Sequence, residues 1–180
     1  GAVYGDSTPS TEEADDSIKI GAISKGVVYG NFGNDTISVG TDATAASLYG
    51  GSGNDVLNLA QVSKGLIEGG KDADTVTLTG SLLGGATIYG ASKGTNENDG
   101  SDLVSIASGI DTGAIYGGAG NDSFLVSGSG TKASLYGGEG NDSLDFGGQA
   151  ITSSYFQGGV GEDTFKMAAV VASSLFGDES

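Results

Sequence analysis

The sequence predicts an all-β chain that folds as a right-handed parallel β-roll or β-helix, a solenoid of about eight coils of ~20 residues with two parallel sheets. A nearly unchanged stretch, Tyr-Gly-Gly-X-Gly-Asn-Asp, ends at Asp55, Asp122 and Asp142. Alternating apolar residues follow each copy. The first and last segments, 3–6 and 175–178, share one phase of the repeat. We therefore expect a single solenoid domain over residues 1–180, a fragment of a larger repeat protein.

The first strand of each coil is the alternating segment after the turn. In residues 56–59, Leu57 and Leu59 share one face and Asn58 lies on the other, as the period of two of a strand requires. The same inward pair recurs as Ile18 and Ile20, Ile37 and Val39, Val76 and Leu78, Val104 and Ile106, Phe124 and Val126, Leu144 and Phe146, and Phe165 and Met167.

A second strand follows a linker that reads as polar or small, such as residues 60–64. Its inward column is Val28, Leu48, Ile67, Ile88, Ile115, Leu135, Phe156 and Leu175. Small residues precede that column at Gly26, Ala46, Gly65, Ala86, Gly113 and Ala133. They predict that two parallel sheets approach closely, face to face.

Tyrosines stand on the outward side of the second strand. Because coils stack at about the inter-strand spacing of 4.8 Å, we expect an exposed ladder of rings, which either suits a strand surface or binds a glycan or other partner. Its members are Tyr4, Tyr29, Tyr49, Tyr89, Tyr116, Tyr136 and Phe176, interrupted by Glu68 and Gln157.

The turns align aspartates in one column: Asp16, Asp35, Asp55, Asp74, Asp102, Asp122, Asp142 and Asp163. Carboxylates about 5 Å apart repel by about 1 kcal/mol in water and about 3 kcal/mol at a protein surface, so a cation should lie between them. Calcium suits a mixture of carboxylates and main-chain carbonyls better than magnesium does. Burial in each coil is too small to offset the cost of ordering it, so we expect folding to depend on the metal.

Residues 50–58, 117–125 and 137–145 resemble the RTX nonapeptide, the calcium-binding repeat of exported bacterial toxins, proteases and adhesins, and residues 30–35 and 158–163 are similar to it. The resemblance implies that Asp35, Asp55, Asp122, Asp142 and Asp163 bridge calcium ions between successive turns. It implies carbonyl ligands from Gly30, Gly33, Gly50, Gly53, Gly117, Gly120, Gly137, Gly140, Gly158 and Gly161. It further implies secretion by a type I system and folding outside the cell.

Other turns depart from this motif. Asp72 replaces a glycine in residues 69–74 and predicts a weaker or reshaped site with Asp74. Two turns, residues 5–16 and 90–102, are longer than the others. They are either surface insertions or altered cation sites that include Asp16, Asp99 and Asp102. The opposite edge of the coils lacks the motif, so we expect about six to eight calcium ions along one edge only.

Composition limits the classes of partner. The formal charge of −16 repels nucleic acid and anionic lipid, and no apolar run is long enough for membrane insertion. Without cysteine, histidine or arginine, the chain lacks the usual zinc ligands and the common catalytic pairs. We therefore predict no enzyme, although an accessory role beside an extracellular enzyme stays open.

The sequence favours a calcium-stiffened structural module of a secreted or cell-surface protein, such as an adhesin stalk, a surface-layer subunit or an extracellular filament. Glycan binding by the tyrosines is the alternative. Ice binding needs a flat row of repeated threonine and asparagine side chains from the turns. The third turn position instead varies from coil to coil: Phe32, Ser52, Lys71, Ala119, Glu139 and Val160. Open strand edges at the end coils also suggest polymers or a lattice of copies.

Overall fold

Short strands and turns make up the protein in a computed structural model that describes residues 1–5, 14–93 and 99–178. Among these residues there is no helix long and apolar enough to cross a membrane. The strands are β1 (Ala2–Tyr4), β2 (Ser17–Ile20), β3 (Ile23–Ser24), β4 (Val27–Phe32), β5 (Thr36–Thr44), β6 (Ser47–Ser52), β7 (Val56–Ser63), β8 (Leu66–Lys71), β9 (Thr75–Leu78), β10 (Leu82–Leu83), β11 (Thr87–Ala91), β12 (Leu103–Ile106), β13 (Ile110–Asp111), β14 (Ala114–Ala119), β15 (Ser123–Val126), β16 (Gly130–Thr131), β17 (Ser134–Glu139), β18 (Ser143–Asp145), β19 (Ala150–Thr152), β20 (Tyr155–Val160), β21 (Thr164–Lys166), β22 (Ala169–Val171) and β23 (Ser174–Asp178).

Two parallel sheets form the solenoid, as the repeat period predicts. Sheet A has nine strands in the order β1-β4-β6-β8-β11-β14-β17-β20-β23. Sheet B has fourteen strands in two ladders, β2-β5-β7-β9-β12-β15-β18-β21 and β3-β5-β7-β10-β13-β16-β19-β22, which β5 and β7 join because each runs through both. Each strand pairs in parallel with the equivalent strand of the next coil, so equivalent residues stand side by side down the stack.

The core lies between the sheets and contains the predicted columns. Leu57, Phe124, Leu135 and Ile115 are completely buried. At the end coils the inward residues are less covered, since a neighbouring coil packs on one side alone. Ile18, Ile20, Phe165 and Met167 are partly buried, and Leu175, predicted to point inward, is exposed.

The prediction of a polar linker over residues 60–64 was wrong. Strand β7 continues to Ser63, and Val62 is completely buried. The same position supplies a third apolar column to the core: Ala43, Val62, Leu82, Ile110 and Ile151. Each coil gives this column a single residue between polar or small neighbours, so no alternating pattern reveals it in the sequence.

The long step of the repeat is an insertion within one turn. Ala91 still pairs with Gly70 of the preceding coil, and Asp99 forms a bridge with Asp72. The extra residues therefore lie between Ala91 and Asp99, and the stacking register on either side is preserved. Most of the swollen turn over 5–16 and the middle of the one over 90–102, including the positions near Thr8 and Asn96, are outside the described residues.

Candidate metal sites

Each coil passes from sheet A into the first ladder of sheet B through a glycine turn that ends in aspartate. Gly51 and Gly53 have φ of 128° and 109°, a region that L side chains rarely adopt. A Cβ on either glycine would also collide with a main-chain carbonyl oxygen of the preceding coil, Asn31 O or Gly33 O. Glycine is thus required by the conformation and by the close stacking of successive turns.

The turn aspartates form one continuous column. The six inner members, Asp35, Asp55, Asp74, Asp102, Asp122 and Asp142, are between 1% and 3% exposed, and Asp16 and Asp163 at the ends are half-buried. Each Oδ1 from Asp35 onward accepts the main-chain N–H of the aspartate one coil earlier, at 2.7 to 2.9 Å. These bonds hold the carboxylates from Asp35 to Asp163 in one orientation.

The second carboxylate oxygens are buried beside that hydrogen-bonded chain. Within the described residues, Oδ2 has no hydrogen-bond partner in Asp16, Asp55, Asp74, Asp102, Asp122, Asp142 and Asp163. A buried carboxylate oxygen without a donor is costly, because neither water nor protein compensates its charge. A row of such oxygens indicates that a positive partner belongs beside them.

Carbonyl oxygens of the next coil approach the same space. A Cβ on Gly117 would collide with Asp122 Oδ2 and with Gly137 O, the first glycine carbonyl of the following turn. The same pair of obstacles, the turn's own Oδ2 and the next carbonyl, surrounds Gly5, Gly30, Gly50, Gly69, Gly90 and Gly137. Carboxylate and carbonyl oxygens from adjacent coils therefore converge seven times along this edge.

That donor set fits a hard divalent cation. Within the described residues no three acidic, histidine or cysteine side chains come together, so a site here must combine carboxylates with main-chain carbonyls, as calcium accepts. Asp122 and Asp142 with Gly117 and Gly137 would hold an ion in one such interval, and an ion there would neutralise the buried charge.

Burial makes these carboxylates hard to ionise without a cation. It raises the pKa of Asp142 to about 6, of Asp55 and Asp102 to about 7, of Asp122 to about 8 and of Asp74 to about 9. The charges of neighbouring aspartates add to the rise, while the main-chain hydrogen bonds oppose it. Ionising these five aspartates therefore costs more in the folded chain than in the unfolded chain, and at neutral pH the folded chain favours the protonated form of Asp122 and Asp74.

The two turns that depart from the motif keep the backbone path of the other turns, but their additional acidic residues, Asp72 and Asp99, do not join the aspartate column. Asp72 adopts a φ of 68° in place of glycine, and the residue is exposed outside the column. Asp99 uses both carboxylate oxygens, accepting the N–H of Gly100 at 3.1 Å and that of Ala119 at 2.7 Å. Neither side chain joins the row of buried Oδ2 atoms.

Sequence reasoning missed two carbonyls at this edge, those of Gly69 and Gly90. Gly69 and Gly90 follow the inward column of sheet A at the same phase as Gly117, and this phase was the signal that could have identified them. The structure places Gly33, Gly53, Gly120, Gly140 and Gly161 within the turns, and their role as carbonyl ligands stays a prediction.

A second, exposed ladder runs beside the aspartates. Asn141 N–H donates to Asn121 Oδ1 at 2.7 Å, and Asn54 N–H to Asn34 Oδ1 at 2.8 Å. Asp15 and Ser101 supply equivalent acceptors to Asn34 and Asn121. Here the N–H points to the earlier coil, whereas the aspartate N–H points to the later one. The recurring asparagines thus fix the spacing of the turns.

Comparison with known families agrees with this geometry. The model of the RTX calcium-binding nonapeptide repeat matches four stretches, residues 27–43, 47–61, 114–129 and 134–150. They contain the turns of Asp35, Asp55, Asp122 and Asp142, so the chain carries four copies of this repeat in a parallel β-solenoid. Searches of curated proteins and of solved structures returned no match.

Proposed function

We propose that this chain is a calcium-binding structural module of a larger secreted or cell-surface protein, which folds and stiffens when calcium occupies the intervals between its aspartate turns. The observation that carries the proposal is the row of buried Oδ2 atoms, which meets a carbonyl of the next coil in seven turns. An ion held there would join two coils, so binding and coil stacking become one equilibrium.

Charge supports the same function. The eight aspartates leave seven intervals, and seven divalent ions would bring about +14 against a formal charge of −16. Near-neutralisation would lower the electrostatic repulsion over the chain as a whole. A site that repeats in this way suits a stiff spacer better than a reaction centre, which needs one singular group of residues.

The extracellular setting follows from calcium supply. Extracellular modules bind calcium with dissociation constants of about 10⁻⁴ to 10⁻³ M, well above the concentration in cytosol. A chain that depends on such sites would stay unfolded inside the cell and fold after export, which agrees with the proteins in which RTX repeats typically occur.

Circular dichroism and equilibrium dialysis test the proposal together. In millimolar calcium we expect full strand content with several bound ions, and in a chelator or in magnesium alone we expect most of that content to be lost. Equal strand content in chelator and in calcium, with no ion retained on dialysis, would contradict it.

A glycine pair supplies a variant and its control. Gly137→Ala places a Cβ against Asp142 Oδ2 and Gly158 O, in the space proposed for an ion, whereas Gly21 has nothing within 4 Å of its Cβ position. Gly137→Ala should bind fewer ions and need more calcium to fold, and Gly21→Ala should behave as the parent chain. Equal calcium requirements for both variants would place the ions elsewhere.

The tyrosine ladder supports glycan binding less well. Most ring faces are turned toward neighbouring rings at 4.7 to 5.2 Å, so they are not open for a sugar to stack on them. Self-association through the end coils stays a prediction, and light scattering across calcium concentrations tests it.

A further inference from the structure

Six of the seven tyrosines share one outward position on successive strands of sheet A. Tyr155 pairs with Ser134, two residues before that position, and its ring leans against Tyr136. Tyr4, Tyr29 and Tyr49 form one run, with centroid distances of 5.2 and 5.0 Å. Glu68 then occupies the equivalent position for one coil. The second run contains Tyr89, Tyr116, Tyr136 and Tyr155.

The middle of the second run is the best aligned part. The rings of Tyr116 and Tyr136 are 4.7 Å apart with an interplanar angle of 1°, and those of Tyr89 and Tyr116 are 4.8 Å apart at 10°. The pairs are in register across parallel strands, so the ortho carbons of one ring face the next ring. Tyr155 is tilted by 37° from Tyr136, at 5.4 Å.

The phenol groups are open to reagents in solution. The tyrosines of this run are half-buried, so part of each side chain is in contact with solvent. Among the described residues, only the Tyr155 hydroxyl has a hydrogen-bond partner, Gln157 Oε1 at 3.1 Å. A phenolic proton can therefore leave directly to water when the ring loses an electron.

Composition concentrates oxidation on the same ladder. The chain has no cysteine, tryptophan or histidine and a single methionine, Met167. Methionine is converted to its sulfoxide by two-electron oxidants. One-electron oxidants therefore act on the tyrosines, and each tyrosyl radical forms next to another tyrosine.

We propose that the run from Tyr89 to Tyr136 is a modification site at which one-electron oxidants, such as a peroxidase with hydrogen peroxide, join neighbouring rings as dityrosine. Each ring loses one electron and its phenolic proton, and the two phenoxyl radicals form an ortho carbon–carbon bond. The two ortho hydrogens then move to restore both phenols. Overall, two tyrosines and one hydrogen peroxide give one dityrosine and two waters.

Such a bond would join consecutive coils covalently in a chain that has no cysteine for disulfides. A crosslink between distant residues stabilises a fold chiefly by restricting the unfolded chain. If the proposed calcium-dependent folding is correct, the crosslink would also keep these coils stacked after calcium is removed. The crosslinking itself depends only on the stacked geometry.

Photo-oxidation with ruthenium tris-bipyridine and persulfate tests the proposal on the full chain. The reaction is run in calcium, with strand content checked first, and again in concentrated urea. We expect dityrosine fluorescence on monomeric chains, a mass loss of about two hydrogens per bond, and at least about tenfold more product in the folded sample, because the rings are already adjacent. Comparable monomer crosslinking in urea, or crosslinking confined to covalent dimers, would overturn the proposal.

Two matched variants locate the bond by peptide mapping. Tyr116→Phe keeps a stacked ring but has no phenol, so links to Tyr89 and Tyr136 should both disappear. Tyr155→Phe removes the phenol of the tilted neighbour and should leave these links unchanged. If the crosslinks map mainly to Tyr136 and Tyr155, or persist between Tyr89 and Tyr136 after Tyr116→Phe, alignment does not determine the site.

Discussion

Asp122→Asn is expected to change folding in opposite directions with and without calcium. Asp122 is 1% exposed, and its Oδ1 accepts the N–H of Asp102 at 2.8 Å. Asparagine keeps the size of the side chain and an oxygen for this bond. Its amide NH₂ replaces Oδ2, in the space that Gly137 O also faces. The substitution therefore removes the buried charge without opening a cavity.

The two effects can be sized from the structure. Burial, with help from nearby carboxylates, raises the pKa of Asp122 from 3.8 to about 8. Folding the metal-free chain at pH 7 with this acid therefore costs up to about 4 kcal/mol, which asparagine avoids. In calcium, by contrast, the chain loses an anionic ligand. Even indirect ligand partners are worth tenfold to hundredfold in affinity, so we expect a loss of at least about 1.4 to 2.8 kcal/mol.

Two titrations measure these changes. In saturating calcium, urea unfolding followed by circular dichroism should show a lower midpoint for Asp122→Asn than for the parent chain. In chelator, folding is induced with trimethylamine oxide, which strengthens burial, and the variant should need less of it. The reasoning is refuted if the variant is harder to fold in chelator, or if calcium-saturated stability does not fall.

Asp111→Asn is the matched control because it makes the same change of charge on the second ladder of sheet B. Asp111 is exposed, and its Oδ1 accepts only the neighbouring Thr112 hydroxyl, at 3.1 Å. Both midpoints should stay within about 0.5 kcal/mol of the parent chain. An equal shift in the control would assign the effect to net charge and not to the column.

Three further predictions concern the core, the asparagine ladder and pH. Phe124→Ala should lower the unfolding free energy by about 3 to 5 kcal/mol, since the ring is completely buried, while Leu125→Ala, 43% exposed, should cost much less; similar losses in urea unfolding would contradict the assigned faces. Asn121→Ala should cost about 1 kcal/mol by removing the acceptor of Asn141 N–H, and Asn121→Ser should recover part of it, as Ser101 does naturally; no recovery would mean that the ladder is not the cause. In chelator, strand content should rise as the pH falls from about 7 to about 4.5. The buried aspartates have pKa values of about 6 to 9 in the folded chain. The free energy cost of burying their charge is therefore absent below the unfolded pKa of about 4 and grows as the pH rises above it. A flat or falling signal, checked by sedimentation for aggregation, would contradict the last prediction.

Much of the fold could be predicted because a solenoid repeats its local pattern. The inward pair at Leu57 and Leu59 and the aspartate at Asp55 each recur at a fixed phase, so a single coil read correctly applies to the others. Val62 was missed because it is a single buried residue between polar or small neighbours, so the segment shows no apolar alternation. Tyr155 escaped it because its ring leans from a neighbouring position to lie between Tyr136 and Phe176.

The sequence by itself determined the coil period, the two sheets and the alignment of the turn aspartates, since each follows from residue spacing along the chain. Only the tertiary structure decided how the atoms of neighbouring coils meet. The aspartate N–H groups donate to the later coil, whereas the asparagine N–H groups donate to the earlier coil. Stacking also brings Asp122 Oδ2 to the space beside Gly137 O. The physical reason is that these contacts join residues about twenty positions apart, and their direction depends on how one coil is stacked on the next.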